Sequence, residues 1–90
     1  MLNIRYISKD IIEVKESTMS FFDTKVSYSY YDIVNWVRYY NRPASKPMTV
    51  ELIKSNPPPD KKRHEIEPMR QSSIDWVKKW YIPKAEKLPA

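Results

Sequence analysis

The chain has 90 residues, no Gly, no Cys, eight Pro and a net charge of +5. Without Cys there is no disulfide framework and no thiolate to attack a substrate or hold a metal. Without Gly, the phosphate-binding loops and dinucleotide fingerprints that need tight turns and close backbone approach are excluded.

No apolar run is long enough to cross a bilayer, and the opening Met-Leu-Asn-Ile-Arg-Tyr does not read as a signal peptide, so one cytoplasmic domain is expected. A chain this short buries only ~60% of its unfolded surface and has little stability in reserve. The charge is uneven. Residues 1–37 carry four basic and five acidic groups, a net −1, while residues 38–90 carry twelve basic and six acidic groups, a net +6. Basic character confined to one part of a chain points to an anionic partner.

Residues 2–8 alternate Leu2, Ile4 and Tyr6 against Asn3 and Arg5, the pattern of a half-buried strand. After a turn at Ser8-Lys9-Asp10, residues 11–16 alternate again, with Ile12 and Val14 on one face. Residues 18–22 and 25–28 flank Asp23-Thr24 and extend the N-terminal third into a β-meander.

A central helix is predicted over residues 30–40. Ser29 supplies an N-cap and Asp32 a variant capping box. Ile33, Trp36, Val37 and Tyr40 recur at i, i+3, i+4 and i+7, and Asn41 and Pro43 stop the helix. Trp36 is the expected core anchor.

Residues 48–54 alternate Met48, Val50 and Leu52 against Thr49 and Glu51 and predict a strand, ended by Pro57, Pro58 and Pro59. Residues 60–65 read as a solvated charged segment closed by Pro68. A second helix is predicted over residues 72–83, capped by Ser72 and ended by Pro83, with Ile74, Val77 and Tyr81 as its core stripe. Trp76 and Trp80 form a second stripe, Lys78 and Lys79 lie outside, and residues 84–90 read as a loose tail. The pattern Trp36-Val37-Arg38-x-Tyr40 returns as Trp76-Val77-Lys78-x-Trp80, which two amphipathic helices of similar composition explain better than a duplicated unit. The expected fold is one α+β domain over residues 1–83: a small antiparallel sheet of three to four strands with two amphipathic helices packed on one face.

The only His, His64, lies in a charged run, so neither acid–base catalysis nor a zinc site is indicated, and no catalytic residue, metal or cofactor is expected. Glu65 and Glu67 read as solvated counter-charges. The site residues are instead basic and aromatic: Arg38, Arg42, Lys61, Lys62, Arg63, Arg70, Lys78 and Lys79, with Trp76 and Trp80. Basic groups neutralise phosphates, and interleaved aromatic rings, here Tyr31, Tyr39, Trp76 and Trp80, stack bases. The leading expectation is therefore a non-enzymatic module that contacts nucleic acid or a nucleic-acid-associated protein, with no membrane partner.

The runner-up is a compact protein–protein inhibitor or adaptor, or a homodimer formed through the second helix. In its small size, lack of Gly and wealth of Tyr and Lys, the chain resembles accessory proteins of phages and mobile elements, such as anti-defence proteins. A distant third is a metal-free ribonuclease-like toxin working through Lys, Arg, Tyr and His.

Overall fold

Strand-forming residues dominate the first half of the chain, and there they build one continuous meander. The computed structural model describes residues 2–41, 46–55 and 64–88. Strands β1 (Leu2–Ser8), β2 (Ile11–Met19), β3 (Thr24–Asp32) and β4 (Val37–Asn41) follow one another, and β5 (His64–Pro68) joins β4. All neighbouring pairs are antiparallel, in the order β1-β2-β3-β4-β5. Two short helical elements complete the fold. Helix α1 spans Val50–Lys54. Helix α2 begins as an α-helix over Gln71–Trp76, widens into a π-helical turn over Val77–Tyr81 and tightens to 3₁₀ over Ile82–Lys84, 14 residues in all.

This corrects the expected fold in four respects, although strands and helices stay segregated as in an α+β protein. The sheet has five strands rather than three to four. The predicted helix over residues 30–40 is the end of β3, a turn and β4. The predicted strand over residues 48–54 contains α1 instead. The two helices also pack on opposite faces of the sheet rather than on one.

The stretch misread as a helix is rich in Tyr, Val, Ile and Trp, which suit a pleated, half-buried surface. Its aromatic density satisfies a helical spacing and a strand spacing at once. Asp32, read as a capping residue, closes the hairpin: its carboxylate accepts from the backbone N–H of Val34 and of Asn35, both at 2.9 Å, and from the Asn35 side-chain amide at 3.0 Å. Asx-type bonding of this kind gives the backbone an alternative to the helix. The turn ends on Trp36 at φ 53°, where its N–H donates to the Asp32 carbonyl at 2.8 Å. Trp36 is therefore only partly buried, packed beside the core and not at its centre. The recurring Trp-Val-basic pattern adopts a hairpin in one copy and a helix in the other, so it marks no repeated unit.

For α1 the overlooked signal is Thr49, whose hydroxyl accepts from the Leu52 N–H at 3.2 Å and caps the first turn. His64, expected on a solvated run, instead opens β5 opposite Asn41 and is half-buried.

Because side chains alternate across a strand, the register assigns two cores. Ile4, Ile12, Val14 and Tyr31 face α2 and bury Val77 to 1% exposure. Ile11, Tyr28 and Tyr30 face the other way and pack against Met48 and Ile53 of the α1 region. That second core holds a polar network. Glu13, buried on β2, accepts from Arg5 Nε at 2.8 Å and from the Tyr30 hydroxyl at 3.1 Å, and the Tyr30 oxygen accepts the Met48 N–H at 2.7 Å. The network ties three strands to the segment leading into α1, and burial pushes the Tyr30 phenol well above its ordinary range. In the stretch read as a loose tail, Glu86 exchanges backbone hydrogen bonds with Ile4 and Tyr6 at 2.9 and 3.0 Å, extending the edge of β1.

Candidate nucleic-acid interface

The outer side of α2 is set by how its winding changes. Val77 is committed to the sheet. A regular α-helix turns about 100° per residue, which would bring Trp80 part-way back toward the sheet three residues later. The π-helical turn, closed by the bond from the Ile82 N–H to the Val77 carbonyl, advances less per residue. The chain therefore returns to the sheet only at Tyr81 and Ile82, both of which pack on the core. Trp80 stays outside.

The result is a ridge. Trp76 is 54% exposed and Trp80 40% exposed, with ring centroids 5.6 Å apart. Lys79 and Lys84 place their ammonium groups over the Trp80 ring at 5.3 and 5.5 Å. Lys78 lies over the Trp36 ring at 5.1 Å. Such contacts hold cations beside a π-face for about 0.5–1 kcal/mol each at exposed sites, little enough to be exchanged for a ligand.

Between α2 and the β3–β5 part of the sheet runs a groove. One lobe, about 320 Å³, is walled by Tyr31, Trp76 and Tyr81. The adjoining lobe, about 230 Å³, is lined by Arg38, Glu67 and Arg70. Arg38, Ser72 and Ser73 belong to both. Tyr31 and Tyr81 meet with centroids 5.6 Å apart.

Arg38 is paired with Glu67, its cross-strand neighbour, and its guanidinium lies 5.2 Å from the centroid of the Tyr40 ring. Burial works against its charge, but hydrogen bonds to Glu67 and Tyr31 outweigh that, and its pKa is held above the usual value. Burial also raises the Tyr31 phenol, against the opposing hydrogen bond from Arg38.

Of the residues singled out from the sequence, Trp76, Lys78, Lys79 and Trp80 share the α2 ridge, and Arg38 and Arg70 share the groove beside it. Arg42, Lys61, Lys62 and Arg63 lie outside the described residues. Tyr31, read from the sequence as a base-stacking ring, is a groove wall. Sequence reasoning missed Tyr81 as the facing wall, Lys84 as a ridge residue and Trp36 as the platform under Lys78. Lys84 was legible as the last cation of the helix, had the helix been carried past Pro83. Among the described residues, no three His, Asp or Glu converge to hold a metal.

A second exposed feature lies far along the sheet. At the β2–β3 tip, Met19, Phe21 and Phe22 are 87–93% exposed, and the two Phe rings meet edge to face at 5.1 Å. Ser20 closes this loop by bonding the Asp23 carbonyl through both its N–H and its hydroxyl.

Compared with known proteins, the chain matches no family model, no curated protein and no solved structure.

Proposed function

We propose that this protein is a non-enzymatic binding module that takes single-stranded nucleic acid along the outer side of α2. The observation that carries the reading is the Trp76–Trp80 pair, exposed and in mutual contact, with Lys79 and Lys84 over Trp80. A ligand for this surface must offer flat faces to the rings and negative charge to the lysines, and a single strand offers both at every nucleotide. A base arriving on Trp80 displaces a lysine from the ring, and the freed ammonium pairs with the phosphate that follows. Sequence preference is weak in such a mode, because every base has a π-face. Affinity comes largely from the release of counterions.

The test is paired. Trp80→Ala should weaken binding of a short single-stranded oligonucleotide about tenfold or more, since a base–aromatic stack contributes ~1–3 kcal/mol, while leaving the melting temperature nearly unchanged. A Trp80→Ala variant that melts far lower, yet binds normally where folded, would make the ring a packing residue and remove the site.

A second reading, a protein–protein inhibitor or adaptor, is favoured by the β2–β3 tip. Two Phe and a Met held in water by a tight loop have the character of interface anchors. Replacing Phe21 and Phe22 with Ser should leave oligonucleotide binding intact under the first reading. Self-association through the α2 ridge would appear as a concentration-dependent mass in light scattering and would compete with the strand.

A further inference from the structure

The groove beside the ridge divides into two chemically different lobes, and the division matches the two halves of a nucleotide. The aromatic lobe has Tyr31, Trp76 and Tyr81 as walls, with buried Val77 at its floor. The cationic lobe carries Arg38 and Arg70 against one carboxylate, Glu67, for a net positive charge. Arg38, Ser72 and Ser73 stand where the lobes join and offer a guanidinium and two hydroxyls. The aromatic lobe, about 320 Å³, lies at the small end of the ~300–1,000 Å³ range of ligand sites, and the cationic lobe, about 230 Å³, adds to it where they join. Trp76 belongs both to the groove and to the ridge, so a strand stacked on Trp80 and Trp76 leads directly into the aromatic lobe.

We propose that this groove receives a single nucleotide of the bound strand, its base among Tyr31, Trp76 and Tyr81 and its phosphate at Arg38 and Arg70. The proposal rests on the reading of the α2 ridge as a nucleic-acid surface and assigns the groove one nucleotide of that strand. Arg38 is the residue that specifies phosphate. Glu67 accepts from one Nη2 donor of its guanidinium and Tyr31 accepts from the guanidinium as well, which leaves the rest of its five N–H donors for an anion. Glu67 is also the repulsive group of the site. It limits phosphate affinity and favours release, so neutralising it while keeping an oxygen acceptor for Arg38 should tighten the ligand.

The experiment titrates the full chain with adenosine 5′-monophosphate, adenosine and inorganic phosphate, followed by tryptophan fluorescence and by NMR of the aromatic and guanidinium protons. The monophosphate should bind several-fold more tightly than adenosine and more tightly than phosphate, shifting the Tyr31, Trp76 and Arg38 signals. Glu67→Gln should tighten the monophosphate several-fold and leave adenosine unchanged, and Arg38→Gln should weaken the monophosphate about tenfold. Both variants end the Arg38–Glu67 ion pair, but Glu67→Gln is the deciding one, because it keeps the guanidinium and an oxygen acceptor and should tighten the ligand, an effect that a merely structural loss would not produce.

Equal affinity for adenosine and its monophosphate, or a Glu67→Gln variant that binds the monophosphate more weakly, would overturn the assignment of the cationic lobe. Oligonucleotide binding that depends on Trp80, with no monophosphate binding, would overturn the groove and leave the ridge. Monophosphate binding with no oligonucleotide binding would keep the groove as a mononucleotide site and remove the ridge reading. Failure of both ligands would remove both.

Discussion

Replacing Tyr30 with Phe removes one oxygen from the centre of the sheet and keeps the ring that packs there. Tyr30 is fully buried, Glu13 is 3% exposed and Met48 is 6% exposed. The change leaves Glu13 Oε2 without its donor at 3.1 Å and the Met48 N–H without its acceptor at 2.7 Å. A buried polar group left unsatisfied costs about 1–3 kcal/mol, and more if charged, so two of them should cost about 3 kcal/mol even with Arg5 still on the other carboxylate oxygen. For a domain whose total stability is of the order of 5–13 kcal/mol, that is a large fraction. The measurement is urea unfolding followed by circular dichroism, with the midpoint falling and the slope unchanged. Combining Tyr30→Phe with Glu13→Gln should recover about 1 kcal/mol or more of the summed losses, because both remove the same contact. A loss under about 1 kcal/mol, or strict additivity, would mean that the network contributes nothing beyond ring packing.

Three further outcomes follow from the geometry. Burial raises the Tyr30 phenol above its ordinary value of 10.0, so its contribution to stability is complete below pH 10 and is lost as pH rises beyond it, by about 1.4 kcal/mol per pH unit; ultraviolet titration should find this tyrosine ionising only with alkaline unfolding, and early, reversible ionisation of all seven would contradict the burial. At Trp36 the positive φ reverses the usual order of substitutions: Trp36→Gly should be more stable than Trp36→Ala by about 1 kcal/mol in urea unfolding, because only Gly sits there without strain, and the opposite order would refute the left-handed turn. Val77→Ala should lower stability by about 2 kcal/mol while leaving oligonucleotide affinity per folded molecule unchanged, the mirror image of Trp80→Ala, and a strong loss of affinity alone would reverse the facing of the helix.

Where the residues obeyed one period, the sequence was readable. The alternation of Leu2, Ile4 and Tyr6 and of Ile12 and Val14 can only suit a strand, and β1 and β2 follow it. In the second helix, Val77 and Trp76 are neighbours that cannot face the same way, and Val77 is the one in the core. The central stretch failed because Ile33, Trp36, Val37 and Tyr40 meet the helical spacing only by being part of a run in which nearly every residue is apolar or aromatic. Composition was the better guide there, and Asp32, which forms a turn by bonding Asn35, was read with Ser29 as a helix cap.

The candidate site was half legible. Trp76, Trp80, Lys78 and Lys79 are close in sequence, so one helix brings them together. The groove joins Tyr31 and Arg38 of adjacent strands to Tyr81 of α2, and that meeting depends on a hairpin the periodicity concealed. The π-helical turn that keeps Trp80 outside has no local sequence signature.

The most direct test of the α2 surface is a titration of the wild-type chain with a short single-stranded oligonucleotide, read by tryptophan fluorescence across a series of salt concentrations. The rings of Trp76 and Trp80 should quench on stacking. The logarithm of the affinity should fall linearly with the logarithm of salt, with a slope of about −2 to −3 for phosphates met by Arg70, Lys78, Lys79 and Lys84 at ~0.7 per contact. No quenching at the lowest salt, or an affinity that does not change with salt, would contradict the account.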